Sequence, residues 1–177
     1  MGVLYERFRD RVFNVAYRIV GHRDEASDVL QDVFVLLFRK IHRFRANSNF
    51  ASWVYRITVN VALDHLRRRR RAPAATAAHA ILDGAPALHP QEMTIPEHAL
   101  AARELEAHVR AALGALSPRL RIVVVLRYME GFAYAEVAEI LDCSIGTVKS
   151  RLNRAHSALK RELAARYDVG GRGALPA

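Results

Sequence analysis

Lys149, Ser150, Asn153 and Arg154 stand close together near the C-terminal end of this 177-residue chain. Their side chains are of the types that read nucleic acid. Guanidinium and ammonium groups suit guanine edges, a carboxamide suits adenine, and a hydroxyl serves bases or phosphates. Among them Val148, Leu152, Ala155 and Leu159 recur at helical intervals and form one apolar stripe. At about 100° per residue, Ser150, Asn153, Arg154 and Ser157 face away from that stripe, with Lys149 on its flank. A helix built this way packs by one side and offers the other to a major groove.

Such a helix needs a platform, and the preceding residues supply one. Ser117 can cap and Pro118 can start a helix, because first-turn amides need outside acceptors and proline lacks one of those donors. Gly131 stops it. A short helix from about Tyr134 to Leu141 is expected to bury Val137, Ala138 and Leu141. The turn Asp142–Cys143–Ser144 follows, and Ser144 can cap the final helix. A plain helical hairpin with a solvated basic face is the alternative. Helix, tight turn and polar-faced helix in succession favour a helix-turn-helix.

Upstream, the chain begins with a second helical block. Leu4, Phe8, Val12, Val15 and Ile19 follow helical spacing up to Gly21. Asp24 can cap a second helix, Glu25 to about Ile41, with Ala26, Leu30, Val33, Leu37 and Ile41 on one face and Asp28, Gln31, Asp32 and Val35 on the other. A loop, His42 to Asn49, precedes a third helix, Phe50 to about Arg71. That helix is apolar on two sides: Phe50, Trp53, Ile57 and Val61 oppose Val59, Leu63 and Leu66. Between them runs a polar column of Arg56, Asn60, Asp64 and Arg67, ending in five consecutive arginines. The arginine run is either a phosphate track or a solubilising helix end.

Charge divides the chain in the same way. Residues 1–71 carry 15 Lys+Arg against 7 Asp+Glu, residues 72–99 none against 3, and residues 100–177 carry 12 against 8. The formal net charge of +9 favours a polyanionic partner. The acidic middle stretch, rich in Ala and Pro, reads as a flexible linker, and a helix with Leu100, Leu105, Val109 and Leu113 resumes near Glu97. The expected fold is all-α: two small helical domains, 1–71 and 100–166, joined by a linker, 72–99, and followed by a frayed tail, 167–177. One cysteine, Cys143, excludes an internal disulfide and a thiolate-rich zinc site. The eight histidines are scattered, so neither metal nor cofactor is expected. No secretory signal or membrane-spanning run is visible, which points to the cytoplasm and to no membrane contact of the chain's own. No nucleophile–base pair, carboxylate pair or phosphate-cradling glycine loop suggests an enzyme.

Four pieces, DEASDVLQDVFVLLFR, FRANSNFASWVYRITVNVALDHLRRRRR, LSPRLRIVVVLRYMEGFAYAEVAEI and GTVKSRLNRAHSALKREL, occur in this order and spacing. Through them the chain resembles the extracytoplasmic-function sigma factors of bacterial RNA polymerase. The resemblance implies an initiation factor whose first block, region two, binds the clamp of the β′ subunit of core polymerase and opens the minus-ten element. Its second block, region four, would read the minus-thirty-five element of promoter DNA and lean on the flap of the β subunit. An anti-sigma factor is implied as a further partner.

Carried over by residue type, Asp28, Gln31 and Asp32 would bind the clamp, the alternative being a solvated helix face. Phe44, Asn49, Tyr55, Arg56, Asn60, Arg67 and Arg68 would serve the minus-ten strand. Phe44 and Tyr55 are the stacking candidates, whereas Trp53 and Phe50 share the packing stripe. Lys149, Ser150, Asn153 and Arg154 would meet the minus-thirty-five element, supported by Thr147 and Arg151. Two positions depart from the family's pattern. Ala133 stands where a capping Ser or Thr is usual, and Asp142 where Gly is common. The rivals are a stand-alone helix-turn-helix regulator, which leaves the first block without a task, and a DNA-cleaving recombinase. Ser27, Ser48 and Ser52 lack surroundings fit for the second.

Overall fold

The computed structural model describes residues 2–44, 49–71 and 107–170, without the side chains of Arg43 and residues 165–170. The expected linker, the helix start near Glu97 with Leu100 and Leu105, and most of the loop before Asn49 lie outside the described residues. Everything regular among those described is helical.

The first block is a bundle of α1 (Gly2–Val20), α2 (Arg23–Lys40) and α3 (Phe50–Arg71), each packed on the other two, with one 3-10 turn, Ile41–Arg43, after α2. Phe8, Val12, Val15 and Ile19 of α1 are buried together with Ala26, Val29, Val33 and Leu37 of α2. Leu30 is only half-buried and Ile41 lies exposed; Val29 takes the inward place expected of Leu30. α1 ends because Gly21 adopts φ +85°, a left-handed conformation that glycine enters without a Cβ penalty, and its N–H closes on the Tyr17 carbonyl at 2.8 Å. The cap of α2 is His22, not Asp24. Asp24 and Glu25 sit in the first turn, where their charge favours the helix N-terminus.

The second block comprises a helix at 107–115 (α4), α5 (Pro118–Val124), a π turn at Val125–Met129, α6 (Tyr134–Ile140) and α7 (Ile145–Gly170). Ser117 occupies the N-cap of α5 but its side chain makes no capping bond; its carbonyl accepts the Leu120 and Arg121 amides instead. Gly131, at φ +77°, ends the π turn. Ile140 is buried where Leu141 was expected. α7 runs on to Gly170, past the boundary at 166 drawn from sequence.

Caps decide the turn between α6 and α7. Ser144 accepts the Thr147 amide on its hydroxyl at 3.1 Å, as its type predicts. Ala133 has no side-chain acceptor to offer α6, so only the reverse half of a capping box forms: Glu136 accepts the Ala133 N–H at 2.8 Å. Asp142 takes φ +49°, the left-handed conformation that glycine would adopt with less strain. Ala133→Ser should therefore stabilise the chain, and Ser144→Ala destabilise it, by about 0.5–2 kcal/mol each. Urea unfolding of the full chain followed by circular dichroism measures both.

Candidate nucleic-acid interface

Along α7 the apolar stripe is buried at Val148, Leu152 and Ala155 and half-buried at Leu159, which turns Lys149, Asn153 and Arg154 to solvent. These three are the groups of the expected reading set that stand open to a groove. The other three are committed closer to home. Thr147 and Ser144 hydroxyls lie 2.9 Å apart, and the half-buried Ser150 hydroxyl donates to the Thr147 carbonyl at 3.1 Å. Arg151 is half-buried, its guanidinium 4.0 Å from the Cys143 sulfur. Asn153, Arg154, Ser157 and Arg161 further line a shallow depression floored by Leu120 and Ala158.

On the first block, Asp28 and Gln31 are exposed on α2, and Asp32 is 51% exposed with one oxygen 2.9 Å from His65 Nε2 of α3. The acidic face is therefore partly tied to the bundle. Glu25 similarly accepts from Arg69 at 3.0 Å. Beside Gln31 lies an apolar groove formed by Tyr5, Phe34, Val35 and Phe38, with Phe38 65% exposed. Polar α2 residues beside exposed aromatics make a surface suited to a protein rather than to phosphates.

The expected minus-ten set divides. Asn60, Arg67 and Arg68 are exposed on α3, with Arg67 bonded to Asp64 at 2.7 Å. Phe44 joins Phe50 and Trp53 in one half-buried aromatic cluster, with ring centroids 4.9 and 5.3 Å from Phe44. Trp53 is thus less enclosed than its stripe implied. Asn49 caps α3: its side-chain oxygen accepts the Ala51 and Ser52 amides at 3.0 and 3.4 Å, and its NH2 donates to Glu136 at 3.4 Å. Arg56 is half-buried and donates to the Glu139 carbonyl of α6.

Tyr55 requires a correction. Expected as a stacking ring, it is 2% exposed. Its ring meets Phe132 edge-on at 4.9 Å, and its hydroxyl donates to Glu130 at 2.6 Å. Burial, then the hydrogen bond to the Glu130 carboxylate, push its phenol pKa well up, so it stays a donor at neutral pH.

Glu130 and Arg121 were missed by sequence reasoning, and both join the two blocks. Glu130, 11% exposed, takes the Tyr55 hydroxyl on one oxygen and Arg18 of α1, at 3.3 Å, on the other. Arg121 donates to the Ile19 carbonyl at the end of α1 and to Leu113, Gly114 and Leu116 carbonyls at the end of α4. One guanidinium so serves two helix C-termini, where carbonyls lack partners and the dipole favours a cation. Burial, then Arg69, lower its pKa. No periodicity signals either residue; a cation four residues after a cap and an acid before Gly131 are ordinary in sequence. Among the described residues, no group of three or more His, Cys, Asp or Glu side chains could hold a metal, and no helix is long and apolar enough to cross a membrane.

Comparison with known proteins agrees with this division. Residues 4–72 match the family model of sigma-70 region 2, and residues 107–159 that of sigma-70 region 4. The chain is 34% identical to the RNA polymerase sigma-H factor of Pseudomonas aeruginosa over 165 residues, 91% of this chain and 84% of the relative. It is 30% identical to the ECF RNA polymerase sigma factor SigW of Bacillus subtilis, over 88% of this chain and 84% of that one. Its fold is similar to that of the sigma factor RpoE of Bartonella quintana, solved with the anti-sigma factor NepR. The TM-score is 0.70 at 25% identity, covering 93% of this chain and 98% of the other. CnrH, solved with the cytosolic domain of CnrY, scores 0.66 at 26% identity, covering 93% and 87%.

Proposed function

Because the chain belongs to the extracytoplasmic-function sigma factors of bacterial RNA polymerase, we propose a division of labour among its surfaces. The chain directs core polymerase to promoters. α7 reads the minus-thirty-five element through Lys149, Asn153 and Arg154, with Thr147, Ser150 and Arg151 fixing the helix start and its approach to the backbone. The observation that carries this reading is their exposure on a helix whose opposite stripe is buried. A helix anchored in this way can present several side chains to base edges without moving.

On the first block, Asp28, Gln31 and Asp32, with the neighbouring Phe34–Val35–Phe38 groove, form the seat for the β′ clamp, and the β flap engages the second block. Asn60, Arg67 and Arg68 hold the non-template strand. Unstacking a base costs a few kcal/mol, which hydrogen bonds and phosphate contacts on this face must offset. Chemistry belongs to the polymerase; this chain supplies address and strand opening. Two structural relatives were solved with anti-sigma factors or the cytosolic domain of a partner, and an anti-sigma factor is the expected inhibitor here.

Run-off transcription with purified core polymerase tests the whole: initiation at defined sites should require the added chain, and identical products without it would overturn the reading. Arg154→Ala should cost about 1–3 kcal/mol and relax preference at one upstream base pair, seen by promoter selection; uniform loss on all sequences would make it a phosphate contact. Asp32→Arg combined with Gln31→Ala should abolish co-elution with core while the circular dichroism stays helical. Asn60→Ala should leave closed-complex binding intact but lower permanganate reactivity of the minus-ten thymines.

A further inference from the structure

Of the three clamp-seat residues on α2, Asp28 and Gln31 stand exposed, whereas Asp32 is held by the neighbouring helix: His65 Nε2 of α3 lies 2.9 Å from its Oδ2. The two side chains differ in setting. His65 is 15% exposed and Asp32 51%. Val33 and Leu66, the next residues along each helix, are buried, so the pair sits where the seam between α2 and α3 meets solvent. Glu25 and Arg69, bonded at 3.0 Å, lie further along the same seam. An imidazole packed into the bundle has little freedom, and a carboxylate at the rim has more. The bond therefore fixes Asp32 more than it fixes His65. Only Oδ2 is engaged among the described residues, which leaves Oδ1 to a partner.

Proton accounting gives this bond two forms. An ionised carboxylate only accepts, so Nε2 carries the proton. A neutral imidazole thus gives Asp32 one directional bond that aims the carboxylate without cancelling its charge. A second proton, on Nδ1, makes the imidazole a cation. The bond is then a charge-assisted pair that competes with any outside donor for the same carboxylate. Histidine is the side chain whose ordinary charge change falls between about pH 5 and 8. The charges around the pair are Asp28, one turn before Asp32 on α2, and on α3 Asp64, Arg67, Arg68 and Arg69. Asp64 and Arg67 bond each other at 2.7 Å, and Arg69 is taken by Glu25. Of the charges on α1, Arg9 engages Asp10 and Arg18 engages Glu130, neither this pair.

We propose that His65 is the positioning residue of the clamp seat: neutral, it aims Asp32 at core polymerase, and protonated, it draws that carboxylate back. Core affinity then falls as pH falls. The proposal rests on the clamp assignment of Asp32 made above. His65 acts through Asp32 and not by contact with the polymerase.

Equilibrium binding of the full chain, carrying a dye at its C-terminus, to purified core polymerase tests this by fluorescence anisotropy. His65→Gln puts an amide donor near the place of Nε2 but takes up no proton. At about pH 7.5, where histidine is ordinarily neutral, it should bind core within about twofold of the unsubstituted chain. His65→Phe fills the space without a donor and should bind about 3- to 10-fold more weakly, since Asp32 must then be ordered on binding. Between about pH 7.5 and about pH 6 the unsubstituted chain should lose about 3- to 10-fold relative to His65→Gln on the same core, whose own titration cancels in that ratio. In an Asp32→Ala background, His65→Phe should cost nothing further. A ratio to His65→Gln that does not move with pH, or an equal loss from His65→Phe in the Asp32→Ala background, overturns the positioning role. Circular dichroism at each pH separates loss of fold from loss of binding; should His65→Phe lose helicity, the pH ratio alone decides. Unchanged core binding by the Asp32→Ala chain would instead overturn the clamp assignment itself.

Discussion

Each oxygen of Glu130 takes a hydrogen bond from the other helical block, from Tyr55 on one side and Arg18 on the other. A carboxylate so withdrawn from water must keep both partners or regain its hydration. The relation between the blocks depends on that requirement. The Tyr55 ring adds an edge-on contact with Phe132, a pairing worth about 0.5–1.5 kcal/mol beyond its buried area. Arg121 adds a second clasp by serving the carbonyl ends of α1 and α4 together.

α3 is apolar on two sides because it packs on both α1 and α2. Beyond that bundle, its Tyr55 reaches Phe132 of the other block. The polar column between the stripes is divided by position along the helix. Arg56 lies against α6, whereas Asn60 and Arg67 emerge where α6 no longer covers them. One helix thereby serves core, block contact and an exposed polar face with successive turns.

At α7 the local chemistry separates groups that fix the helix from groups left open to solvent. Ser144, Thr147 and Ser150 exchange hydrogen bonds among themselves and with the first-turn backbone, which leaves their hydroxyls little freedom to seek bases. Lys149, Asn153 and Arg154 project from a helix held by that cap and by the buried Val148 and Leu152. Rigid support with open polar tips lowers the ordering cost of recognition. The weak places of the block, Ala133 without a side-chain acceptor and Asp142 at positive φ, lie in the turns around α6 and not on the exposed face of α7.

By itself the sequence determined the helices, the turns at Gly21 and Gly131, the Ser144 cap and the open face of α7. All of these follow from spacing and residue type within a few turns of chain, where periodicity and capping act. Capping at His22 instead of Asp24, the π turn before Glu130 and the continuation of α7 to Gly170 turn on balances of about one hydrogen bond, too small for a pattern to show. Tertiary structure alone decided the fate of Tyr55, Arg56 and Asn49, the pairing of Asp32 with His65, and the roles of Glu130 and Arg121. Their partners come from distant parts of the chain, and an aromatic or charged side chain off a stripe carries no local mark of what will cover it.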